Sequence, residues 1–166
     1  MDEQQYHQHL ISLAEALGLA LQARNESLAL AESCTGGMAA QIVTAISGSS
    51  VTFERGFVTY SNPAKEELLG VSATTLEIYG AVSEEVAREM ALGALKHSHA
   101  QVAGSITGIA GPNGGSADKP VGTVCFAWVG DTIPLQSVTC LFNGDRHSIR
   151  QQSVATLLAK IFAALK

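Results

Sequence analysis

The sequence is poor in cysteine, in aromatic side chains and in charge. Its three cysteines, Cys34, Cys125 and Cys140, do not form a paired disulfide framework, and no CxxC or histidine-rich spacing indicates a metal site. Aromatic residues make up 5% and charged residues 15% of the 166 residues, against 46% hydrophobic residues. This composition excludes an intrinsically disordered chain and predicts a single ordered domain over residues 1–166. We expect no metal and no cofactor.

Basic residues and long apolar runs are also scarce. The 10 Lys and Arg are outnumbered by 15 Asp and Glu, which gives a formal net charge of -5. Nucleic-acid binding requires clustered cations, so this composition argues against that class of partner. No stretch approaches roughly 18 uninterrupted apolar residues, and the start MDEQQYHQHL is acidic where a signal peptide is basic and then apolar. We therefore expect a cytoplasmic protein with no nucleic-acid or membrane partner.

Apolar spacing and turn residues predict alternating helices and strands. Helices are expected over residues 4–23, 35–47, 62–69 and 83–97 and from about 145 onwards, and strands over 28–31, 51–60 (one bent or two), 102–107, 121–129 and 134–142. Asn62 is expected to cap the short third helix, with Pro63 at its first position and Gly70 after its end. This order predicts one α/β domain, a three-layer α/β/α arrangement with a mixed β-sheet.

The segment AESCTGG places Ser33 between a buried strand and the helix that follows it. The free N–H groups around Thr35, Gly36 and Gly37 would then form an anion or oxyanion site, and the glycines would let a ligand approach the backbone. The alternative is that Ser33 or Thr35 only caps the helix, and the local pattern alone favours capping. Cys34 competes as a nucleophile. Because adjacent side chains point apart, we expect Cys34 to pack against the core instead.

A serine nucleophile needs a base, and Lys65 is a better candidate than the histidines. Four of the five histidines lie in stretches with no link to the serine turn. Lys65 falls near the start of the short third helix, where the helix dipole lowers the pKa of an ammonium group. Tyr60, at the end of the preceding strand, could relay a proton. The alternative is a solvated lysine paired with Glu66 or Glu67, which is the commoner situation and which spacing alone does not exclude.

Two further segments could bind the polar parts of a ligand. The loop TGIAGPNGG starts at a strand end, so Thr107 and the amides after it could bind a phosphate or an amide, although a flexible surface loop is the alternative. The segment GDRHSIR places Arg146 and Arg150 on one face at the start of a helix, where they suit a phosphate. The Walker, GxGxxG, GxSxG and SxxK patterns are all absent.

Six segments, AESCTGG, VTYSNPAKEELLGV, GAVSEEVAREMA, TGIAGPNGG, KPVGTVCFAW and GDRHSIR, together resemble the C-terminal domain family of the competence-damage protein CinA. The similarity runs in order from about Leu10 to the end of the chain. That family includes nicotinamide-nucleotide amidases, which convert nicotinamide mononucleotide (NMN) and water to nicotinic acid mononucleotide and ammonia. The resemblance also implies an α/β/α fold. The amino-terminal molybdopterin-binding-like domain of longer CinA proteins is missing from this sequence.

The resemblance implies specific roles for individual residues. Ser33 would be the nucleophile, with Lys65 and Tyr60 as its activating partners, no metal and a small-molecule nucleotide as substrate. The candidate substrate-binding residues are Thr35, Gly36, Gly37, Ser50, Thr107, Gly108, Arg146 and Arg150. Two alternatives stay open: an inactive nucleotide-binding or regulatory module, and a serine-lysine hydrolase of another amide. The apolar content suggests a homodimer.

Overall fold

The computed structural model, which describes residues Met1–Lys166, contains six α-helices and five strands. In chain order they are α1 (Glu3–Ala23), β1 (Leu28–Glu32), α2 (Met38–Thr44), β2 (Phe53–Val58), α3 (Asn62–Leu69), α4 (Ala73–Tyr79), α5 (Glu84–Lys96), β3 (Val102–Gly108), β4 (Thr123–Gly130), β5 (Ile133–Leu141) and α6 (Arg146–Ala164). A short 3₁₀ helix, Ser49–Val51, precedes β2. No helix combines the length and apolar character needed to cross a membrane.

The strands form one mixed sheet in the order β2-β1-β3-β4-β5. Strand β1 runs parallel to both β2 and β3, whereas β3, β4 and β5 pair in antiparallel fashion. Because β1 and β3 are neighbours and parallel, the loops that follow them leave the same edge of the sheet. The loops after Glu32 and Gly108 therefore border one crevice, which is where open α/β sheets bind ligands.

Helices cover both faces of the sheet, as the predicted three-layer α/β/α arrangement requires. On one face α1, α2 and α6 pack over large side chains that include Leu30, Ile106 and Phe126. On the other face α5 packs against alternating small residues such as Ala31 and Ala103, with α3 and α4 beside it. All five residues of β1 are buried, which explains why this strand is apolar throughout up to Glu32.

The structure corrects several predicted boundaries. Helix α2 begins at Met38 and not at Thr35, because the intervening residues form a turn with Gly36 and Gly37 at positive φ. Ser61, and not Asn62, caps α3: its hydroxyl accepts a hydrogen bond from the N–H of Ala64 at 3.1 Å. Gly70 ends this helix as predicted.

One helix, α4, was not predicted from the sequence. Its segment, Ala73–Tyr79, contains two threonines, an isoleucine and a tyrosine, which favour strands as much as helices, and it buries only Leu76. The predicted strand over 51–60 is the single strand β2, and the first residue of the predicted range, Val51, belongs to the 3₁₀ helix. The hairpin of β4 and β5 and the start of α6 after Asp145 agree with the prediction.

Candidate active site

Ser33 and Lys65 meet at the carboxyl end of β1. The Nζ atom of Lys65 lies 3.1 Å from the Ser33 hydroxyl oxygen, within hydrogen-bond distance. Ser33 follows the last residue of β1, and its N–H donates to the carbonyl of Ile106 in the neighbouring β3 at 3.0 Å. Lys65 lies in the first turn of α3. Lys65 follows Ser33 by 32 positions, and the residues between them carry the chain through α2 and β2 and back to the same edge of the sheet.

Lys65 is buried and has no carboxylate partner. Its side chain is 1% exposed, and none of the ion pairs of the chain includes it, so the solvated lysine paired with Glu66 or Glu67 is not what the structure shows. Removal of the ammonium group from water lowers the pKa of Lys65. Burial, rather than the helix dipole invoked from the sequence, is the main cause of this shift.

The remaining contacts of Lys65 suit a neutral amine. Nζ donates to the backbone carbonyls of Thr59 at 2.9 Å and of Tyr60 at 3.3 Å. A neutral amine has two N–H donors and one lone pair. When the two carbonyls accept the two N–H groups, the lone pair is left for the Ser33 hydroxyl. This arrangement lets Lys65 accept the serine proton.

Cys34 packs in the core, as predicted. It is 6% exposed and belongs to the apolar cluster beneath α1, α2 and α6. Burial raises the pKa of the Cys34 thiol to about 12, so the thiol is neutral at physiological pH. Because the thiolate and not the thiol is the nucleophile, this environment disfavours Cys34 as the attacking group.

The turn after Ser33 is organised differently from the prediction. The first free amides of α2, those of Ala39 and Ala40, donate to the carboxylate of Glu32 at 2.9 and 3.0 Å. The Thr35 hydroxyl also donates to Glu32, at 2.7 Å. The start of α2 is thus occupied by a side chain of the protein itself and is not open to a ligand.

A cleft of about 270 Å³ opens beside the Ser33 hydroxyl. It is lined by Ser33, Cys34, Tyr60, Asn62, Lys65, Ala81, Val82, Thr107, Gly108, Ile109, Ala110, Gly111, Asn113, Gly114 and Arg146. None of the five histidines is among them. Thr35, Gly36 and Gly37 are not among the lining residues, so the structure gives no support to their contact with the substrate, which stays a prediction.

Several backbone amides at the cleft have no acceptor in the protein. Among them are the N–H groups of Cys34, beside the serine, and of Ala110 and Gly111 in the loop after β3. The amide that follows a nucleophilic serine, together with an amide from a second loop, is a common oxyanion hole. The donors expected around Thr35, Gly36 and Gly37 stay a prediction; of these three amides only that of Gly36 has an acceptor in the protein, the Ser33 carbonyl. The predicted ligand Thr107 does line the cleft, but its hydroxyl donates to the Ala81 carbonyl at 2.8 Å.

The two arginines of GDRHSIR have different positions. Arg146 lines the cleft, has no carboxylate partner, and donates to the Gly111 carbonyl at 2.7 Å and to the Tyr60 hydroxyl at 3.0 Å. Arg150 does not line the cleft. Its guanidinium donates to the carbonyls of Cys34 at 3.1 Å and Thr35 at 2.9 Å, so it stabilises the backbone of the turn that follows Ser33. Arg146 is therefore the candidate phosphate ligand.

Tyr60 and Ser50 are not placed as the predicted roles require. The side chain of Tyr60 is 59% exposed, and its hydroxyl contacts Arg146 and neither Ser33 nor Lys65. Only its backbone carbonyl contacts the lysine. Ser50 lies in the 3₁₀ helix before β2, at the opposite edge of the sheet, and does not line the cleft. Its neighbour Ser49 borders a separate groove between α1 and α2.

Sequence reasoning missed three residues of this region. Asn62 and Asn113 line the cleft, and neither amide group is hydrogen-bonded within the protein. The sequence predicts Asn62 as a helix cap and includes Asn113 only within the loop TGIAGPNGG. Glu32 was not singled out at all, although a lone charge at the end of an apolar strand is a signal that the sequence did contain.

The amino-acid sequence is similar to that of a known protein family and of named enzymes. Residues 10–165 match the family described as the CinA C-terminal domain. The chain is 53% identical to the nicotinamide-nucleotide amidohydrolase PncC of Enterobacter agglomerans over 92% of this chain and 91% of that protein. It is 52% identical to PncC of Escherichia coli (strain K12) over 92% of this chain and 93% of that protein.

Solved structures agree with the fold. The crystal structure of the competence/damage inducible protein CihA from Agrobacterium tumefaciens superposes with a TM-score of 0.93 at 41% sequence identity. The match covers 95% of this chain and 96% of that chain. The three-layer arrangement is thus the fold of a protein similar to this one over nearly its whole length.

Proposed function

Because the chain belongs to the CinA C-terminal domain family, we propose that it is a nicotinamide-nucleotide amidohydrolase, which hydrolyses the carboxamide of NMN to a carboxylate and ammonia. The names of the relatives that share about half of its residues support this substrate. The observation that carries the chemistry is the buried Lys65, held by two carbonyls with its Nζ atom 3.1 Å from the Ser33 hydroxyl.

The first half of the reaction forms an acyl-enzyme. The Ser33 oxygen attacks the carboxamide carbon while Lys65 takes the hydroxyl proton. The amides of Cys34, Ala110 and Gly111 are the donors available to the oxyanion that develops on the carbonyl oxygen. When this intermediate collapses, the C–N bond breaks and the protonated Lys65 gives its proton to the leaving nitrogen, so that ammonia departs.

The second half releases the acid. Water attacks the ester carbon on Ser33, and Lys65, neutral again, accepts a proton from that water. The ester bond breaks, the proton returns from Lys65 to the Ser33 oxygen, and the acid leaves as a carboxylate after giving its proton through solvent to the released ammonia. One water is consumed and one ammonia released, and both Ser33 and Lys65 return to their starting states.

The nucleotide part of the substrate requires a cation for its 5′-phosphate, and Arg146 meets this need. It lies at the cleft without a carboxylate partner, and a guanidinium can bind a phosphate through two parallel hydrogen bonds. The unpaired amide groups of Asn62 and Asn113 are available for the polar edges of the ribose and the carboxamide.

Ammonia release from NMN by variants of the chain tests the proposal. Ser33→Ala should lose turnover by several orders of magnitude while it unfolds at the wild-type temperature, because the attacking oxygen is gone. Lys65→Arg should be equally inactive, since a guanidinium does not lose its proton. Cys125→Ala, which changes a buried cysteine outside the cleft, serves as the control.

Two results would replace this proposal with its alternatives. A folded wild-type chain that binds NMN and releases no ammonia would be a regulatory module. Turnover of a different amide but not of NMN would keep the serine-lysine chemistry and change the substrate. Activity that survives in Ser33→Ala and disappears in Cys34→Ala would contradict the choice of nucleophile.

The role of Arg146 can be separated from the chemistry. Arg146→Ala should raise KM for NMN by about 10- to 100-fold, because a hydrogen bond to a charged group contributes roughly 1.5–3 kcal/mol. The kcat should change little, since the phosphate is remote from the reacting carbonyl. Nicotinamide riboside, which lacks the phosphate, is the matched control: its KM should not respond to the substitution. An equal effect on both substrates would remove Arg146 from phosphate binding.

A further inference from the structure

Glu32 is a buried charge that the proposed reaction does not use. It and Lys65 are the two charged side chains of the chain that are fully buried, each 1% exposed, and they do not form an ion pair. A buried carboxylate is costly unless hydrogen bonds compensate it. Here Glu32 accepts three, from the Thr35 hydroxyl and the amides of Ala39 and Ala40.

These hydrogen bonds close the serine turn into a ring. Glu32 is the residue before Ser33, and its side chain reaches past the turn to the beginning of α2. Its backbone carbonyl accepts the N–H of Thr59, the residue whose own carbonyl holds Lys65. One residue therefore connects the nucleophile, the start of α2 and the segment that positions the base.

The turn uses its carbonyls within the protein and leaves amides free. The Ser33 carbonyl accepts the N–H of Gly36, and the carbonyls of Cys34 and Thr35 accept Arg150. The amides of Cys34 and Thr35 have no acceptor. The carbonyl groups of the turn thus accept hydrogen bonds from within the protein, whereas the Cys34 amide donates none. This amide is therefore available as a donor next to Ser33.

We propose that Glu32 is a positioning residue, which holds the turn so that the Ser33 oxygen meets Lys65 and the Cys34 amide faces the developing oxyanion. This inference rests on the proposed serine hydrolase function. The competing interpretation is that Glu32 only caps α2, in which case its loss would affect stability and leave the catalytic step intact in the folded fraction.

The decisive variant is Glu32→Gln. Glutamine keeps the size of the side chain, but its amide nitrogen is a donor and would face the donor N–H of Ala39 or Ala40. We expect kcat for NMN to fall by about 100-fold or more, the effect of losing one oxyanion donor. KM should stay near the wild-type value, because Arg146 is not connected to Glu32 by any hydrogen bond.

A second readout does not depend on the substrate. The rate at which a small fluorophosphonate labels Ser33 reports the reactivity of the serine whether or not NMN is the substrate, so failure of the NMN assignment would not conceal the result. In Glu32→Gln this rate should fall together with kcat. Wild-type labelling without ammonia release from NMN would refute the substrate and leave the test of Glu32 intact.

Two further variants keep the test independent of folding. Thr35→Val removes one hydrogen bond to Glu32 and keeps the carboxylate, so it should show a smaller loss of kcat and labelling, and Thr35→Ser should recover both relative to Thr35→Val. Ile42→Val loosens the buried face of the same helix without touching Glu32 and serves as the stability control. Wild-type kcat and labelling in folded Glu32→Gln would overturn the inference. Losses of kcat and labelling in Glu32→Gln that are no larger than its unfolded fraction, as expected for Ile42→Val, would also overturn it.

Discussion

The proposed function of Lys65 as a base opposes the stability of the protein. A lysine in a protein interior loses the hydration of its charge, and here no carboxylate returns any of that energy. The carbonyls of Thr59 and Tyr60 accept hydrogen bonds from its N–H groups, but they carry no negative charge that would neutralise an ammonium group. The same burial that lowers the pKa of Lys65 therefore reduces the free energy of unfolding of the protein.

Lys65→Met should separate these effects. At pH 7 the unfolded chain binds a proton at Lys65 that the native state binds less readily, so this lysine destabilises the wild type. The variant should therefore have a higher free energy of unfolding than the wild type, and it should release no ammonia. This stability is regained only as pH rises towards the unfolded pKa of about 10.4, at a slope of at most about 1.4 kcal/mol per pH unit. Denaturant unfolding of both chains at pH 7 and pH 10 measures the difference. A gap that does not narrow at pH 10 would argue against a depressed pKa.

At the level of the elements, apolar periodicity predicted the helices and strands that are formed by burial in the core. It did not predict element boundaries that depend on a single hydrogen-bonding side chain. The buried strands β1 and β3 and the long helices α1 and α6 follow directly from their apolar patterns. The start of α2 did not, because it depends on Glu32, which reaches the helix from the preceding strand. Helix α4 was missed because it buries a single residue.

The start of α3 offers a test of how its local charge affects the base. Asn62 lies one helical turn before Lys65, and both line the cleft. Asn62→Asp introduces a negative charge on a side chain of the same size. This charge favours the ammonium form of Lys65 and raises its pKa. The acid limb of the kcat/KM profile should therefore move to higher pH, whereas in Asn62→Ala the limb should keep its position. An unmoved limb in Asn62→Asp would show that another group limits the rate at low pH.

Across the whole molecule, the topology brings together residues that the sequence separates. The structure places Ser33, Lys65, Thr107, Gly108 and Arg146 at one cleft, and their roles in catalysis and binding stay predictions. The sequence could not distinguish Arg146 from Arg150, since both occupy the same face of α6 and only the packing of that helix decides which one reaches the cleft. Ser50 was misplaced because the direction of β2 carries it to the far edge of the sheet. The expected homodimer remains a prediction, which sedimentation equilibrium can test.

The contact between α5 and α3 positions Lys65, the proposed base, relative to the sheet. A Cβ atom on Gly93 of α5 would collide with the backbone carbonyl of Leu69, the last residue of α3. In an exposed helix, replacing glycine by alanine stabilises by about 1 kcal/mol. Here Gly93→Ala should instead destabilise by about 1–3 kcal/mol through overpacking, and it should also reduce kcat by displacing Lys65.

The matched control is Gly18→Ala in α1, where the nearest atom to the new Cβ would be the Thr52 hydroxyl oxygen at 3.8 Å. This substitution should be neutral or stabilising and should leave kcat unchanged. Thermal unfolding and ammonia release of the two variants provide the comparison. If both substitutions raise the unfolding temperature, the spacing between α3 and α5 is adaptable and does not fix the position of the base.

The hydrogen bonds of Arg146 to the Gly111 carbonyl and the Tyr60 hydroxyl have a practical consequence for measurements on this protein. They hold the guanidinium in place before any ligand arrives, so an incoming anion need not order a flexible side chain. If this arginine receives the 5′-phosphate, inorganic phosphate or sulfate in the assay buffer occupies the same position and competes with the nucleotide. The apparent KM in phosphate buffer then reflects the buffer as much as the enzyme, and kinetic constants for NMN are comparable only between assays of the same anion content.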